Sequence, residues 1–454
     1  MKEEERTIEN SLTKGNETKA ILRFTVPLII GNIFQQLYNI ADSVIVGQFL
    51  GKDALAAVGS AFTLMVFVTS IIMGLCMGAS VLFSNLFGAK KEEEFKQTVV
   101  TAFLLIGAIT LVLNGAVLFL IDPILRLINI PTLIYPQMRS YTSIVFGGIF
   151  FVFLYNFFSS VLRSVGNATM PLVFLVLSAV VNVVLDILFI TKFQMGVAGA
   201  AWATLIAQGI SAVACGAYCL TRLPALRGGL FQVRPKWITV KVIAGYSILA
   251  SIQQSIMNLG ILLIQGLINT FGTVVMAGFS AAVKVEAFAY MPMQEYGNAF
   301  STYVAQNRGA GKPHRIRKGI FSSIGLLTGF GILISAAVVI FASQLMLIFL
   351  KPTETQAIQV GIEYLSITGV FYVLIGYLFS FYGFFRAIGK PQMSIVLTLI
   401  SLGTRVLLAY CTVAQFGVRG IWWSIPIGWF LADVVGAVAL FFQKSRHTKG
   451  ESKK

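Results

Sequence analysis

Two acidic residues in apolar surroundings stand out as groups that could do chemistry. Asp186 follows Asn182 by four residues, which places both side chains on one face of a helix. Asp42 lies in an earlier apolar stretch, and Thr204 lies in the stretch after Asp186. A carboxyl group in an apolar environment can exchange a proton near neutral pH, whereas Na+ needs an ionised carboxylate and further oxygen ligands. These four residues predict a proton or cation site, with Asp42, Asn182 and Asp186 as the candidate ligands for Na+.

A third acid, Glu286, lies about midway along another apolar stretch. An ionised carboxylate there is costly unless it is paired or protonated. Lys284 is two residues away and does not share its helix face, whereas Lys284 and Glu295, eleven residues apart, do share one. Arg405 is a further candidate counter-charge. A structural ion pair and a substrate contact are both consistent with Glu286.

Polar side chains recur on one face of two apolar stretches. The first stripe contains Gln35, Gln36 and Asn39, and the second contains Gln254 and Asn258. Their three- and four-residue steps are typical of a helix face. Because polar groups are costly against lipid tails, the stripes predict a shared, hydrated substrate cavity. The alternative is hydrogen bonding that only holds helices together.

The composition indicates a membrane protein made of helices. Of the 454 residues 57% are apolar and 11% are charged, and the mean hydropathy is +0.83. Apolar runs long enough to cross a hydrocarbon core of about 30 Å recur along the whole chain. We predict twelve spans, at 21–46, 54–86, 97–121, 138–161, 170–191, 197–220, 240–270, 276–304, 319–349, 360–383, 391–414 and 418–442.

The positive charges predict how the spans are oriented. Alternate loops and the two tails hold 26 of the 34 Lys and Arg residues, and the opposite loops hold six. This asymmetry follows the positive-inside rule, so both termini are expected in the cytoplasm. The net charge of +16 is therefore attributed to orientation. Contact with anionic membrane lipids is the alternative and would add little, and no nucleic-acid partner is expected.

The orientation also brings the candidate site residues to a common depth. By helical rise, Asp42, Asp186 and Thr204 each lie about 7 to 11 Å below the outer boundary, and Asn182 lies one turn beneath Asp186. Such convergence favours one site in the outer half of the first six spans. An acid at the membrane boundary that reaches into water is the alternative for Asp42 and for Asp186.

The sequence is duplicated. The segment from Gly51 to Lys90 returns between Gly272 and Gly311, and the Gly196 to Trp202 motif returns at Gly417, both at an offset of 221 residues. Six spans per repeat is an even number, so the repeats must be parallel, with a cleft for cargo between two lobes. We predict a cytoplasmic tail at 1–19, a first lobe at 20–220, a linker at 221–240, a second lobe at 241–442 and a second tail at 443–454.

Several motifs together resemble the multidrug and toxic compound extrusion family. They are Pro27, the Gln35 to Asp42 stretch with Gly47 and Gly51 beyond it, the Gly-Ala-Lys turn at 88–90, Asn182-x-x-x-Asp186, the Gly196 motif and Gln306-x-x-Gly309-Ala310-Gly311. The resemblance covers essentially the whole chain. It implies an all-α protein whose two six-helix lobes form a V and exchange cationic amphipathic compounds for protons or sodium.

Carried over residue by residue, the resemblance assigns roles. Asp42, Asn182, Asp186 and Thr204 match the ion site of the first lobe, and Pro27 matches a proline proposed to bend span 1 on protonation. Glu286 resembles an acid that some branches use. The implied protein is a monomer in the plasma membrane that needs no cofactor.

Other classes fit less well. A membrane-embedded enzyme would need paired catalytic groups, but the only histidines, His314 and His447, lie in a loop and a tail. A primary pump would need a phosphate-binding loop of the Gly-x-x-x-x-Gly-Lys-Ser/Thr kind, which the sequence does not contain. The closest alternative is a flippase for lipids or lipid-linked saccharides. Such a protein is expected to have a cationic cavity, whereas the two polar stripes are neutral.

Overall fold

The protein is a bundle of long, apolar helices. The computed structural model describes residues 12–127, 130–226 and 233–451, and all regular secondary structure in these ranges is helical. Eleven of the described helices are long and apolar enough to cross a membrane, and a bent pair of shorter helices makes up a twelfth span. The predicted twelve-span, all-α class is confirmed. Parts of the predicted tails and linker, at 1–11, 227–232 and 452–454, lie outside the described residues.

The first half of the chain supplies spans one to six. Its α-helices are α1 (Glu17–Leu50), α2 (Lys52–Gly88), α3 (Glu92–Phe119), α4 (Ile121–Leu127), α5 (Tyr135–Gly147), α6 (Ile149–Ser164), α7 (Thr169–Ile187) and α8 (Gly196–Arg222). Pro27 lies inside α1, which is continuous around it. A five-residue π-helix, Leu188–Lys192, follows α7.

The second half repeats this order. Its α-helices are α9 (Trp237–Asn269), α10 (Thr273–Gly309), α11 (Pro313–Ile340), α12 (Ala342–Leu347), α13 (Thr355–Thr368), α14 (Tyr372–Ala387), α15 (Pro391–Phe416) and α16 (Val418–Glu451). A short 3-10 helix, Gly369–Phe371, joins α13 to α14.

Both the turns and the helix interruptions confirm the internal repeat. Span four breaks at Gly148, where α5 and α6 meet at 43°, and span ten breaks at Gly369, which is 221 residues later. The turns before α2 and α10 use Gly51 at φ +85° and Gly272 at φ +87°. A left-handed backbone of this kind strains residues that carry a Cβ, so the duplicated glycines mark duplicated turns.

Close packing divides the chain into two compact units. The first contains residues 12–15, 22–252 (as far as they are described) and 305–312, and the second contains 16–21, 253–304 and 313–451. The divisions fall within α1, α9 and α10. The first residues of α1 belong to the second unit, whereas the first half of α9 and the last residues of α10 pack with the first unit.

Aromatic side chains form much of the core of the first unit. Phe83 and Phe95 pack edge to face at 6.1 Å, and Phe103 and Phe157 do so at 5.4 Å. Such pairs contribute about 0.5–1.5 kcal/mol each beyond burial. Small residues bring helices together elsewhere: a Cβ on Gly74 of α2 would lie 2.4 Å from the Cα of Ser251 in α9. Packing of this kind replaces the hydrophobic effect as the main force between helices in lipid.

The second unit has its own aromatic core. Phe279 of α10 stacks on Trp422 of α16 at 5.5 Å, and Tyr364 of α13 meets the same Trp422 edge-on at 4.9 Å. A second close crossing joins α10 to α14, where a Cβ on Gly383 would lie 2.3 Å from the carbonyl oxygen of Gly297. These contacts fix α10 against α14 and α16, and Glu286 of α10 is buried within the unit.

Candidate functional site

The first unit contains a buried pair of carboxyl groups. Asp186, near the end of α7, is fully buried, and Asp42 of α1 is 8% exposed. The two carboxyl groups are close enough to interact directly. A hydrogen bond between two carboxyl groups requires that one of them holds a proton, because two ionised carboxylates have no hydrogen to share.

Asn182 and Thr204 join this pair, as their common depth predicted. In the orientation of the Asn182 carboxamide that satisfies its neighbours, Nδ2 donates to Asp186 Oδ2 at 2.8 Å. In that orientation Oδ1 accepts from the backbone N–H of Thr204 at 3.2 Å. The side chain of Thr204 in α8 is also buried. The structure therefore brings all four predicted residues together, from α1, α7 and α8.

Two tyrosines complete the site and were not predicted from the sequence. Tyr38 lies one helical turn before Asp42 on α1, and Tyr141 lies on α5 with 4% exposure. Both hydroxyl groups lie near the side chain of Thr204, with which they can hydrogen-bond. The four-residue spacing from Tyr38 to Asp42 was a usable signal for the first. Tyr141 has no such signal, because only the tertiary packing of α5 brings it to Thr204.

The arrangement has free acceptor capacity for a cation. Neither Asp42 Oδ1 nor Asp186 Oδ1 accepts a hydrogen bond from a described donor. In addition to sharing a proton, the two carboxylates with the oxygens of Asn182 and Thr204 could surround a small hard cation such as Na+. Within the described ranges no cluster of three or more His, Cys, Asp or Glu side chains is positioned to bind a transition metal.

Glu286 lies in the second unit and is 8% exposed. Tyr364 donates a short hydrogen bond to Glu286 Oε2, and Arg405 is the nearby positive charge. Lys284 is exposed and instead lies 5.7 Å from the ring centroid of Phe349. The acid is thus partnered by a tyrosine hydroxyl and by a charge on α15. Its role in transport stays a prediction.

The predicted substrate-cavity residues are half-buried side chains of two helices. Gln35, Gln36 and Asn39 lie on α1 in the first unit. Gln254 and Asn258 lie on α9 in the second unit. Partial burial is consistent with both the cavity and the interhelical alternative, so their role also stays a prediction.

Known proteins resemble this chain over nearly its whole length. The family model MatE matches residues 27–188 and 247–411. The probable multidrug resistance protein YpnP of Bacillus subtilis is 31% identical over 439 residues, which cover 96% of each chain. A FAD transporter of Shewanella oneidensis is 23% identical over 90% of this chain and 91% of its own.

A solved structure has the same fold. It shows the outward-facing conformation of a multidrug resistance MATE family transporter of the MOP superfamily, with a TM-score of 0.89 and 26% identity. The alignment covers 96% of this chain and 97% of that one.

Proposed function

Because the chain belongs to the MatE family of multidrug and toxic compound extrusion transporters, we propose that it is a secondary active antiporter. It exports cationic amphipathic compounds and takes up protons or sodium in exchange. The observation that carries this proposal is the contact between Asp42 and Asp186. A buried acid pair can hold one cation in one state and release it in another, which is what ion coupling requires.

The pair favours a proton as the coupling ion. When a proton is bound, one carboxyl group can donate to the other, and the hydroxyls of Tyr38 and Tyr141 with the Asn182 amide support the site. When the proton leaves, two like charges remain in a buried site and repel each other. That repulsion favours a change in the conformation of the site. Binding of Na+ would neutralise the same repulsion, so sodium is the alternative that the test includes.

The proposed substrate class, cationic amphipathic compounds, is inferred from the relatives. YpnP is named for multidrug resistance, and neutral polar side chains with aromatic neighbours suit varied organic cations. The plasma membrane location, the cytoplasmic termini, the monomeric state and the substrate-cavity role of Gln35, Gln36, Asn39, Gln254, Asn258 and Glu286 are parts of the same proposal. The FAD transporter and a lipid flippase supply the alternative substrates, both of which are anionic.

Transport by purified protein in liposomes tests the proposal. An ethidium gradient should drive proton movement, reported by a pH-sensitive dye inside the vesicles. Replacing external Na+ with choline should leave this flux unchanged if protons couple, and should stop transport if sodium does. Movement of FAD or of a fluorescent lipid, with no ethidium-driven ion flux, would reject drug–cation antiport.

A further inference from the structure

A fourth buried acid, Asp433, lies outside both sites described above. It belongs to α16 in the second unit, fifteen residues after the helix begins at Val418. The residue is 8% exposed, and neither carboxylate oxygen accepts a hydrogen bond from a described residue. Glu286, by contrast, accepts from Tyr364, and Asp186 contacts Asp42. Asp433 is therefore the buried acid with the fewest partners among these four.

The helices around Asp433 are packed too closely to leave it exposed to water. A Cβ on Gly428 would lie 2.4 Å from the carbonyl oxygen of Ser401 in α15, and one on Gly436 would lie 2.9 Å from the Phe381 ring in α14. Gly436 is three residues from Asp433, so the two share a face of α16. Trp429, one turn earlier, lies 6.5 Å from the ring of Tyr372. The face of α16 that carries Asp433, Trp429 and Gly436 thus packs against α14.

The charged and titratable groups of the neighbouring helices leave Asp433 without a counter-charge. On α14, the charge of Asp433 acts on the titratable hydroxyl of Tyr382. The guanidinium of Arg386, on the same helix, donates a hydrogen bond to Asn298 Oδ1 at 3.4 Å. On α15, Arg405 acts on Glu286. On α13, Glu363 accepts a hydrogen bond from Arg419, which lies at the start of α16. A carboxylate with neither a cation nor a donor is strongly disfavoured in an apolar interior, whereas the neutral acid is tolerated.

We propose that Asp433 is a second proton-binding site, located in the second unit and separate from the Asp42–Asp186 pair. In the conformation described here its carboxyl group is the neutral acid. Deprotonation releases one proton to water and leaves one carboxylate, whose charge acts on the Tyr382 hydroxyl. The transport role of this step rests on the proposed antiport function. The protonation itself does not.

The site also differs from the first in its position along the span. Asp186 is six residues before Lys192, where its span ends, whereas Asp433 is ten residues before Gln443, where the apolar part of α16 ends. Ten residues of helix span about 15 Å. A proton on Asp433 is therefore held deep within a helix, where water reaches it only if α14 or α15 moves. Release from this position would accompany a conformational change of the second unit.

Infrared spectroscopy of the full-length protein in liposomes tests the protonation directly. Asp433→Asn should remove intensity from the carbonyl stretch of protonated carboxyl groups at neutral pH. The matched control is Asp122→Asn, since a hydrogen bond from Arg139 at 2.7 Å lowers the pKa of Asp122 to about 2. This control should remove intensity from the carboxylate band instead. Loss of a carboxylate band in Asp433→Asn would overturn the proposal.

A second variant keeps the test decisive if Asp433→Asn fails to fold. Asp433→Glu keeps an acid at the position, so it should retain the protonated band at a shifted frequency. If both variants express and neither changes the protonated band, Asp433 is ionised and the inference fails.

The role in transport has its own measurement. The number of protons moved per ethidium, obtained from the pH gradient that just stops ethidium flux, should fall by one in Asp433→Asn. An unchanged number would overturn the coupling role of Asp433. If the wild-type protein shows no coupled flux at all, the antiport proposal has failed, and the infrared result still decides whether Asp433 holds a proton.

Discussion

The chemistry of the first unit depends on two carboxyl groups that repel each other when both are ionised. Asp42 and Asp186 come from helices far apart in sequence, yet they interact directly in a buried site. Such a pair titrates as a unit, so its protons leave in two coupled steps. Replacing one carboxyl group removes the repulsion, and the site then no longer favours the binding of a cation.

This argument predicts the behaviour of Asp186→Asn. The amide preserves the shape of the side chain and can still hydrogen-bond Asp42, so folding and ethidium binding should stay close to wild type. Ethidium-driven proton flux should fall to the level of empty liposomes. Binding by fluorescence and flux in liposomes should be measured on the same preparation. Wild-type flux in this variant would reject the first-unit mechanism and direct attention to Glu286 and Asp433.

The hydroxyl of Tyr141 should contribute less than the acids do. Tyr141→Phe removes a hydroxyl that can hydrogen-bond Thr204 and leaves the ring in place. A hydrogen bond of this kind contributes about 1 kcal/mol, which corresponds to about a fivefold change in an equilibrium constant. The pH at half-maximal transport should therefore shift by less than one unit while the maximal rate persists. Complete loss of transport would show that Tyr141 takes a more direct part.

The sequence predicted the site where depth and spacing carried the information. Asp42, Asn182, Asp186 and Thr204 lie together as their positions along the spans indicated. Tyr141 was missed because nothing in its own span marks it, and only packing brings α5 to α8. Asp433 was missed because an acid without a neighbouring polar pattern gives no periodic signal, and its isolation is visible only once its neighbours are known.

At the scale of the helix, one glycine pair controls how closely α2 and α10 approach. A Cβ on Gly309 would lie 1.9 Å from the carbonyl oxygen of Asn85, and one on Gly88 would lie 2.0 Å from that of Gln306. Both obstacles are backbone atoms, so no side-chain rotation relieves them. The end of α10 can remain in the first unit only with glycine at these positions.

We therefore expect Gly309→Ala to displace the end of α10 from α2. Overpacking of this kind costs about 1–3 kcal/mol. A cysteine at Asn307, which is fully buried, should react faster with a water-soluble maleimide when Gly309 is alanine. Gly325→Ala is the matched control, because a Cβ there meets no atom within 4 Å. Equal labelling in the two backgrounds would show that the crossing tolerates a methyl group.

The N-terminal segment is tied to the same place by Gln306. The Gln306 side chain accepts from the Leu12 backbone N–H at 3.0 Å and donates to the Ser164 carbonyl at 2.7 Å. Gln306→Leu leaves both backbone groups without a partner, and each such loss costs about 1–3 kcal/mol. A cysteine at Thr13 should consequently become more reactive. The control is Gln97→Leu, whose amide bonds only an exposed carbonyl, that of Arg234 at 3.2 Å.

For the whole molecule, the duplication was the most reliable signal in the sequence. The 221-residue offset predicted equivalent helices, and the structure repeats the turns at Gly51 and Gly272 and the breaks at Gly148 and Gly369. The breaks themselves were not predicted, since span four reads as one continuous apolar run. A glycine in such a run weakens the helix only slightly, and tertiary packing decides whether it bends.

The orientation of the whole molecule can be tested with single cysteines. The charge asymmetry predicts that the turn between α2 and α3 is cytoplasmic and the turn before α13 is outside. Glu93, in the first turn of α3, and Thr353, in the turn before α13, are exposed positions. The native cysteines, Cys76, Cys215, Cys219 and Cys411, must first be replaced. In intact cells, a membrane-impermeant maleimide should label a cysteine at 353 and spare one at 93. Permeabilised cells should label both. Equal protection or equal labelling of the two in intact cells is incompatible with the proposed arrangement, because the two positions are separated by an odd number of spans.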